Sequence, residues 1–317
     1  MSAPATNLLT RSLPWRLTAR AFGVLGITGR TLVIAVPMLW FLVFFLVPFF
    51  VLGRISLAEA IIARPPYTPL WERTPDGTLT IVASLENFRF LLADRLYANA
   101  YLSSIRIAVV STVFALLIGY PMAYFIARAP EPRRSILLLL VILPFWTSFL
   151  LRVYAWMGFL RREGVINNFL LEIGAITRPL VMLQTDFAVY VGIVYTYLPF
   201  MILPLYANLT KLDQAHLEAA ADLGASPMVT FFTVTLPLSL PGIVAGSMLV
   251  FIPAIGEYVI PALLGGPDTL MIGRVLWDEF FQARDWPVAS AVAIVMLFLV
   301  VAPIMWLQSV QNRRELK

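Results

Sequence analysis

EAAADLGASPMVTFFTVTLP, residues 218–237, is a segment rich in small residues that lies between two long apolar stretches. The rest of the chain is strongly apolar, since 60% of its 317 residues are hydrophobic, 13% are charged and none is cysteine. Its mean hydropathy is +0.84. This composition disfavours a soluble domain and excludes a disulfide scaffold, so it indicates an integral membrane protein that this segment interrupts.

Six windows are long enough to cross a bilayer, because a hydrocarbon core of about 30 Å takes roughly 20 apolar residues of helix. Each window contains proline, which a packed membrane bundle tolerates, so we predict an all-α integral membrane fold of six kinked transmembrane helices. The first window is too long and starts too far into the chain for a cleaved signal peptide, although Ala58-Glu59-Ala60 follows it. The windows are 32–52, 101–127, 136–157, 187–207, 241–264 and 287–307.

The positions of the cationic residues predict that both termini are cytoplasmic. The two sides carry nearly equal numbers of Lys and Arg. One set crowds next to the membrane in the N-terminal tail (1–30), the tight second loop and the C-terminal tail (308–317), where such residues count most. Part of the other set lies in the long 53–98 loop, where charge matters less. The six-helix domain is then 31–307, and its 208–240 loop is cytoplasmic.

The opening segment has the start and stop signals of two short helices. Asp213 can cap residues 214–223, which are good helix formers, and Gly224 can take the left-handed position that ends the helix. Ser226 and Pro227 then start a second helix. The pair is either a plain surface hairpin between two spans or, because its face is so small, a surface shaped for another protein's groove.

These residues resemble the EAA loop of ABC importer permeases. The pattern is Glu218-Ala219-Ala220, three residues, Gly224, nine residues, Val234, one residue, then Leu236-Pro237. Valine stands where the family has isoleucine. A further set of segments is similar to the polyamine branch of that family, in particular to permeases of bacterial putrescine importers, and the likeness extends from about residue 31 onward. These segments are residues 265–287, PAIGE at 253–257 and LPFWT at 143–147.

The resemblance implies a type I ABC importer permease fold, with a cytoplasmic coupling helix, in the bacterial inner membrane. It also implies a second permease in a heterodimer, two ATPase subunits and a periplasmic polyamine-binding protein as partners. Glu218 would contact the ATPase, and Gly224 would allow the turn. The coupling residues carried over are Glu218, Ala219, Ala220, Gly224, Leu236 and Pro237.

The chain itself lacks the usual signs of catalysis and of nucleotide binding. Lys211 and Lys317 are its only lysines, and neither lies in a phosphate-binding loop, so any ATP must be bound by partner subunits. His216 is the sole histidine, which excludes a His/Cys metal cluster and argues against a hydrolase-type Ser/His pair. We therefore predict a non-enzyme with no cofactor, no metal and no nucleic-acid partner.

Three ionisable residues, Arg106, Arg152 and Glu257, lie within predicted spans at a similar depth. Such residues are expensive in lipid and suggest function. Glu257 either pairs with one of the two arginines or faces the cavity and attracts a diammonium substrate, although the three charges sum to an unfavourable positive value. Aromatic rings that could offer cation-π faces on that path are those of Tyr258, Trp146, Tyr154 and Trp156.

The loops opposite the EAA segment contain two predicted amphipathic helices, over 163–174 and 274–286, and a short helix is expected near 85–92. The region around the second is acidic, which indicates either a contact for a binding protein and its cation or an ordinary solvated loop. Its residues are Asp268, Trp277, Asp278, Glu279 and Asp285.

Several alternatives stay open. The substrate could be spermidine or another organic cation instead of putrescine. A self-sufficient secondary transporter also fits six kinked spans, but it does not explain the EAA pattern. ATP dependence of uptake separates a secondary transporter from an ABC importer. A purely structural membrane subunit is the third possibility.

Overall fold

A computed structural model describes residues 29–73 and 79–315 of the chain. Most of the predicted N-terminal tail (1–30) lies outside the described residues, as do residues 74–78 and 316–317. In the described part, four helices are long and apolar enough to cross a membrane, and two bent helix pairs bring the number to as many as six. The expected all-α membrane fold with kinked helices is confirmed. In chain order the candidates for the first to sixth spans are Val33–Ser56, Arg95–Arg128, Arg133–Trp146 with Phe149–Glu172, Asp186–Leu209, Pro227–Leu238 with Leu240–Ile255, and Trp286–Met305.

The third span, expected to be continuous over 136–157, is sharply bent. Its two halves meet at 91°. Helix Arg133–Ile142 passes into a 3₁₀ turn at Leu143–Trp146, and helix Phe149–Leu160 follows. Pro144 lacks the amide hydrogen that an α-helix needs, and Thr147, in an extended conformation, donates its hydroxyl to the Pro144 carbonyl. The bend is therefore a local consequence of the LPFWT sequence.

The fifth span also differs from the predicted window of 241–264. Helix Leu240–Ile255 ends at Gly256, and a separate short helix occupies Val259–Leu264. On the other side, the helical chain already begins at Pro227, inside the predicted 208–240 loop, and bends by 64° before Leu240. The helical part of this span is thus shifted toward the N-terminus relative to the predicted window, and it ends at Gly256.

Shorter elements connect the spans. The helices expected near 85–92, 163–174 and 274–286 are present as Glu86–Ala93, Val165–Glu172 and Ile272–Trp277, the last continued by a π-helical turn at Asp278–Ala283. The long loop after the first span contains an antiparallel strand pair, Trp71–Arg73 with Leu79–Ile81. The first span contains a π-helical turn, and its parts are Gly29–Phe41, Leu42–Leu46 and Val47–Ser56; the last helix is Trp286–Glu315. The predicted 208–240 loop contains the helices Gln214–Asp222 and Pro227–Thr230, a π-helical turn at Phe231–Thr235 and a final helical turn at Leu236–Leu238.

The second, fourth and fifth spans form the centre of the molecule. Glycines let their backbones approach closely, as small residues do in membrane helix pairs. A Cβ added at Gly246 would lie 2.9 Å from Sδ and 3.0 Å from the carbonyl oxygen of Met201, and one at Gly119 would lie 3.0 Å from the Met201 side chain. The first span, in contrast, is exposed over most of its length and packs on the last span through Val47–Ser56.

Candidate functional site

The EAA loop, defined here as residues 213–237, has the predicted local conformation. Asp213 Oδ1 accepts from the Ala215 amide at 3.0 Å, and Ser226 Oγ accepts from the Val229 amide at 3.4 Å, so each residue caps a helix. Gly224 lies between the two helices with φ of +79°, in the left-handed region. Its amide donates to the Ala221 carbonyl at 2.8 Å and closes the first helix.

The surface of the EAA loop is open. Glu218, Ala219 and Gly224 are exposed, and Leu223 is 89% exposed although it is apolar. A Cβ built at Gly224 meets no described atom within 4 Å. Toward the membrane, Leu236 is partly buried and Pro237 is exposed.

Two tyrosines connect the EAA loop to the second span. The Phe231 ring packs edge-on against Tyr120 at 5.6 Å and against Tyr124 at 6.2 Å between ring centroids. The Tyr120 hydroxyl is also hydrogen-bonded to Ser239 Oγ at 2.9 Å. Sequence reasoning missed these residues, because nothing in the local pattern shows which side chains of a distant helix will meet Phe231.

Arg106 pairs with a carboxylate that the sequence analysis did not single out. Its Nη2 lies 2.6 Å from Asp186 Oδ2, and Asp186 Oδ1 accepts from the Thr269 hydroxyl at 2.7 Å. The predicted alternative, a pair between Arg106 and Glu257, is therefore wrong. Asp186 begins the fourth span one residue before the predicted window, and it connects the start of this span to Arg106 within the second span and to Thr269 in the 265–271 loop.

We expect Arg106→Gln to change the free energy of unfolding by less than about 1 kcal/mol, because exposed ion pairs contribute little. The two side chains are 62% and 39% exposed, and Thr269 keeps its bond to Asp186 in the variant. Thermal unfolding of the purified protein at low and high salt measures this. Glu131→Gln, which neutralises the longer pair with Arg134 at 3.8 Å and keeps an oxygen acceptor for the Ser135 hydroxyl, is the matched control. A loss several times larger for Arg106→Gln alone would contradict the weak-pair interpretation.

Glu257 lies at the break after the fifth span and is 8% exposed. Its Oε2 accepts from the Tyr197 hydroxyl at 2.5 Å, and its Oε1 accepts from the Val259 and Ile260 amides at 3.1 and 3.4 Å. Neither Arg106 nor Arg152 forms an ion pair with Glu257 in the described part of the chain, so the predicted ion pair of Glu257 with an arginine is wrong. The carboxylate instead caps the short helix Val259–Leu264, whose first amides lack partners of their own.

Arg152 has aromatic neighbours and no carboxylate partner among the described residues. Its guanidinium carbon lies 5.0 Å from the Phe145 ring centroid and 5.9 Å from that of Phe149. Its Nε and one Nη are buried without a hydrogen-bond partner in the described chain. The bend of the third span brings Phe145 back toward Arg152, so a cation-π contact replaces the predicted ion pair.

The aromatic side chains predicted for a substrate path do not converge on Glu257. Trp146 and Tyr154 are 76% and 54% exposed. Trp156 packs edge-on against Tyr195 at 5.5 Å and lines a groove of about 730 Å³ between the second and fourth spans. Tyr258 is stacked on Trp277, with ring centroids 4.4 Å apart.

The acidic region before the last span is largely occupied by internal hydrogen bonds. Glu279 accepts from the Tyr97 hydroxyl at 2.8 Å, Asp278 accepts from Gln282, and Asp285 Oδ1 accepts from the Val288 amide at 3.0 Å. Asp268 is exposed, and Trp277 is 38% exposed. Asp278, Glu279 and Asp285 therefore stabilise the local structure through hydrogen bonds within the chain.

Comparison with known proteins identifies the family. Residues 107–317 match the family described as binding-protein-dependent transport system inner membrane component. The spermidine/putrescine transport system permease protein PotB of Salmonella typhimurium (strain SL1344) is 43% identical over 233 residues, which cover 74% of this chain and 81% of that protein. PotB of Haemophilus influenzae is 38% identical over 273 residues, which cover 86% of this chain and 90% of that protein.

A solved structure shares the fold. A chain of a bacterial ABC transporter involved in the import of the acidic polysaccharide alginate superposes with a TM-score of 0.66 at 17% identity, over 95% of this chain and 99% of that one. At this identity the likeness concerns the fold alone. The family match, the relatives and the fold agree: the chain belongs to the binding-protein-dependent transport system inner membrane components, the non-catalytic permease subunits of ABC transporters.

Proposed function

We propose that the chain is a permease subunit of an ATP-driven importer for polyamines, with putrescine as the preferred substrate and spermidine as the competing one. The observation that carries this proposal is the similarity to spermidine/putrescine permeases over most of the chain. The type of substrate therefore rests on relatives, whereas the role of a permease rests on the family and the fold.

We further propose that the EAA loop is the coupling element. In the importer, two cytoplasmic ATPase subunits bind ATP, this chain pairs with a second permease, and a periplasmic binding protein delivers the substrate. The open surface around Gly224, with the exposed side chain of Leu223, supports docking into an ATPase groove. This assignment places both termini in the cytoplasm and requires no cofactor bound by the chain itself.

For the substrate path, we propose that Glu257 acts chiefly on structure. A carboxylate that already accepts three hydrogen bonds has little capacity left for a diammonium ion. The exposed rings of Trp146 and Tyr154 are better placed to meet a cation that passes along the face of the third span.

Uptake of labelled putrescine and of labelled spermidine tests the proposal. In cells that lack the chain, we expect uptake to return only when the chain is expressed and cellular ATP is present, with putrescine transported faster. ATP depletion is the control that separates an ABC importer from a secondary transporter. Uptake that is indifferent to the chain would remove polyamines as substrates, and uptake that favours spermidine would reverse the order of preference.

A further inference from the structure

A groove of about 260 Å³ lies between the end of the second span and the first half of the third. Buried and half-buried side chains form its floor, and exposed side chains form its rims. All of the side chains that line it are apolar, so the occupant that suits it is a hydrocarbon chain. We name it the inner groove; its lining residues are Met122, Phe125, Ile126, Leu137, Leu140 and Val141.

The inner groove starts at the membrane end that contains the EAA loop. Phe231 of that loop packs against Tyr124, which directly precedes the lining residue Phe125. At its other end the groove reaches Val141, eight residues after Arg133, the first residue of that helix. At 1.5 Å per residue this distance is about 12 Å, close to half of a hydrocarbon core of about 30 Å. The groove therefore has about the depth of one lipid leaflet.

Two arginines continue the walls of the inner groove toward the EAA loop. Arg128 lies one turn after Phe125 in the second span, and Arg133 lies one turn before Leu137, so each arginine shares a helix face with a lining residue. Both arginines are exposed, and neither forms an ion pair with a carboxylate among the described residues. The guanidinium carbon of Arg128 lies 5.1 Å from the Tyr124 ring centroid, which holds this charge beside the membrane.

The charge at the mouth of the inner groove is positive. The tight loop between the second and third spans, with the residues that flank it, contains three arginines and one glutamate, which leaves two positive charges unbalanced. The glutamate, Glu131, lies 3.8 Å from Arg134, and Arg134 Nε also donates to a backbone carbonyl of the loop at 3.1 Å. Arg133 lies in the first turn of its helix, where the helix dipole disfavours a positive charge and an anion beside it would offset this. The unbalanced charge therefore belongs to Arg128 and Arg133.

We propose that the inner groove binds an anionic phospholipid of the cytoplasmic leaflet, with the phosphate between Arg128 and Arg133 and one acyl chain in the groove. Arginine binds phosphate through paired, charge-assisted hydrogen bonds, and basic residues at the cytoplasmic ends of spans attract anionic lipids. A soluble ATPase subunit can contact the two arginines, but it cannot fill an apolar groove that extends into the membrane. The inference rests on the proposed function only for the orientation, which places the EAA loop in the cytoplasm.

The test is native mass spectrometry of the complete transporter in detergent micelles, titrated with anionic phosphatidylglycerol or with zwitterionic phosphatidylcholine. We expect Arg128→Gln combined with Arg133→Gln to retain one phosphatidylglycerol fewer per complex, because the affinity of that site falls about tenfold or more. Binding of phosphatidylcholine should stay the same. Arg128→Lys with Arg133→Lys keeps both charges and is expected to retain most of the affinity. Lys211→Gln is the matched control, because Lys211 is exposed at the same membrane end and does not line the groove.

The apolar part of the site has its own pair of variants. Leu140→Trp adds bulk to the rim of the inner groove and leaves both arginines in place, so we expect phosphatidylglycerol to be lost as in the double glutamine variant. Leu139→Trp is the control, because Leu139 is exposed beside Leu140 and does not line the groove. Equal retention of the lipid by these two variants would remove the acyl chain from the proposed site.

Three further outcomes would overturn the inference. The first is equal retention of phosphatidylglycerol by the wild type and the double glutamine variant, or an equal loss in Lys211→Gln. The second is displacement of the lipid by inorganic phosphate at the same concentration, which would indicate a simple anion site. The third is binding to the two permeases alone but not to the complete transporter, which would assign the arginines to an ATPase contact. Putrescine uptake is a separate measurement, so a transporter that retains the lipid but carries another substrate would refute the proposed function alone.

Discussion

Gly224→Asp is expected to reduce substrate uptake to background while the transporter still assembles in the membrane. The backbone at Gly224 is left-handed, so any L side chain costs about 1 kcal/mol or more there. That cost alone does not unfold a protein of this size. The larger effect comes from the added carboxylate, which projects into space that is empty in the chain and that we assign to the ATPase subunit. Uptake and substrate-stimulated ATP hydrolysis are the measurements.

The chain supplies a close control for this substitution. Gly174 also has a left-handed backbone, with φ of +68°, and a Cβ added there would likewise have no described atom within 4 Å. It follows the helix Val165–Glu172, at the opposite end of the molecule. Gly174→Asp thus carries the same backbone cost without touching the EAA loop, and we expect near-normal uptake. Normal uptake by Gly224→Asp at normal expression would refute the coupling assignment.

Glu257→Ala is expected to destabilise the transporter strongly. The change leaves the Tyr197 hydroxyl and the Val259 and Ile260 amides without their acceptor. A buried donor without a partner costs about 1–3 kcal/mol, so the combined loss exceeds the effect of most single substitutions. We expect a lower melting temperature of the purified complex and a reduced amount of assembled complex in the membrane.

Glu257→Gln separates a structural role from a charge on the substrate path. The amide oxygen of glutamine can still accept from the two backbone amides, and its nitrogen can donate to the Tyr197 oxygen. We therefore expect putrescine uptake within about threefold of the wild type. The free energy of unfolding should fall by no more than about 1 kcal/mol, which is the contribution of one neutral hydrogen bond. Tyr197→Phe removes one donor without touching the carboxylate and should give a similarly mild effect. A stable Glu257→Gln variant that cannot transport would show that the negative charge itself acts on the substrate.

Much of the architecture could be predicted because it depends on local physics. Apolar runs of membrane length give the spans. Asp213 and Ser226 cap helices with their side-chain oxygens, and Gly224 ends a helix through its left-handed backbone, so each acts within a few residues of itself. The bend of the third span could be anticipated in part, since Pro144 is visible in the sequence. The end of the fifth span at Gly256 is harder to predict, because the apolar run continues beyond it and only tertiary packing of Val259–Leu264 decides the break.

The partners of charged side chains could not be predicted in the same way. Arg106 and Glu257 lie at a similar depth, which makes a pair between them reasonable, but depth does not determine which faces of two helices meet. Asp186 stands just outside the predicted apolar window, so the search for charges within the spans passes over it. Tyr197 escapes notice because a tyrosine within an apolar helix has no sequence signal that distinguishes a hydrogen-bond donor from an ordinary core residue.

The close glycine contacts among the second, fourth and fifth spans have a mechanical consequence. A Cβ at Gly119 or Gly246 would lie 2.9 to 3.0 Å from Met201, closer than ordinary packing allows, so the three helices are in close backbone contact and their relative displacement is resisted. A displacement of Phe231, which packs against Tyr120 and Tyr124 near the end of the second span, would then rotate the three helices together as one rigid unit. A small displacement of the EAA loop would then be transmitted through the bundle to the opposite membrane face instead of being lost in movements between the helices.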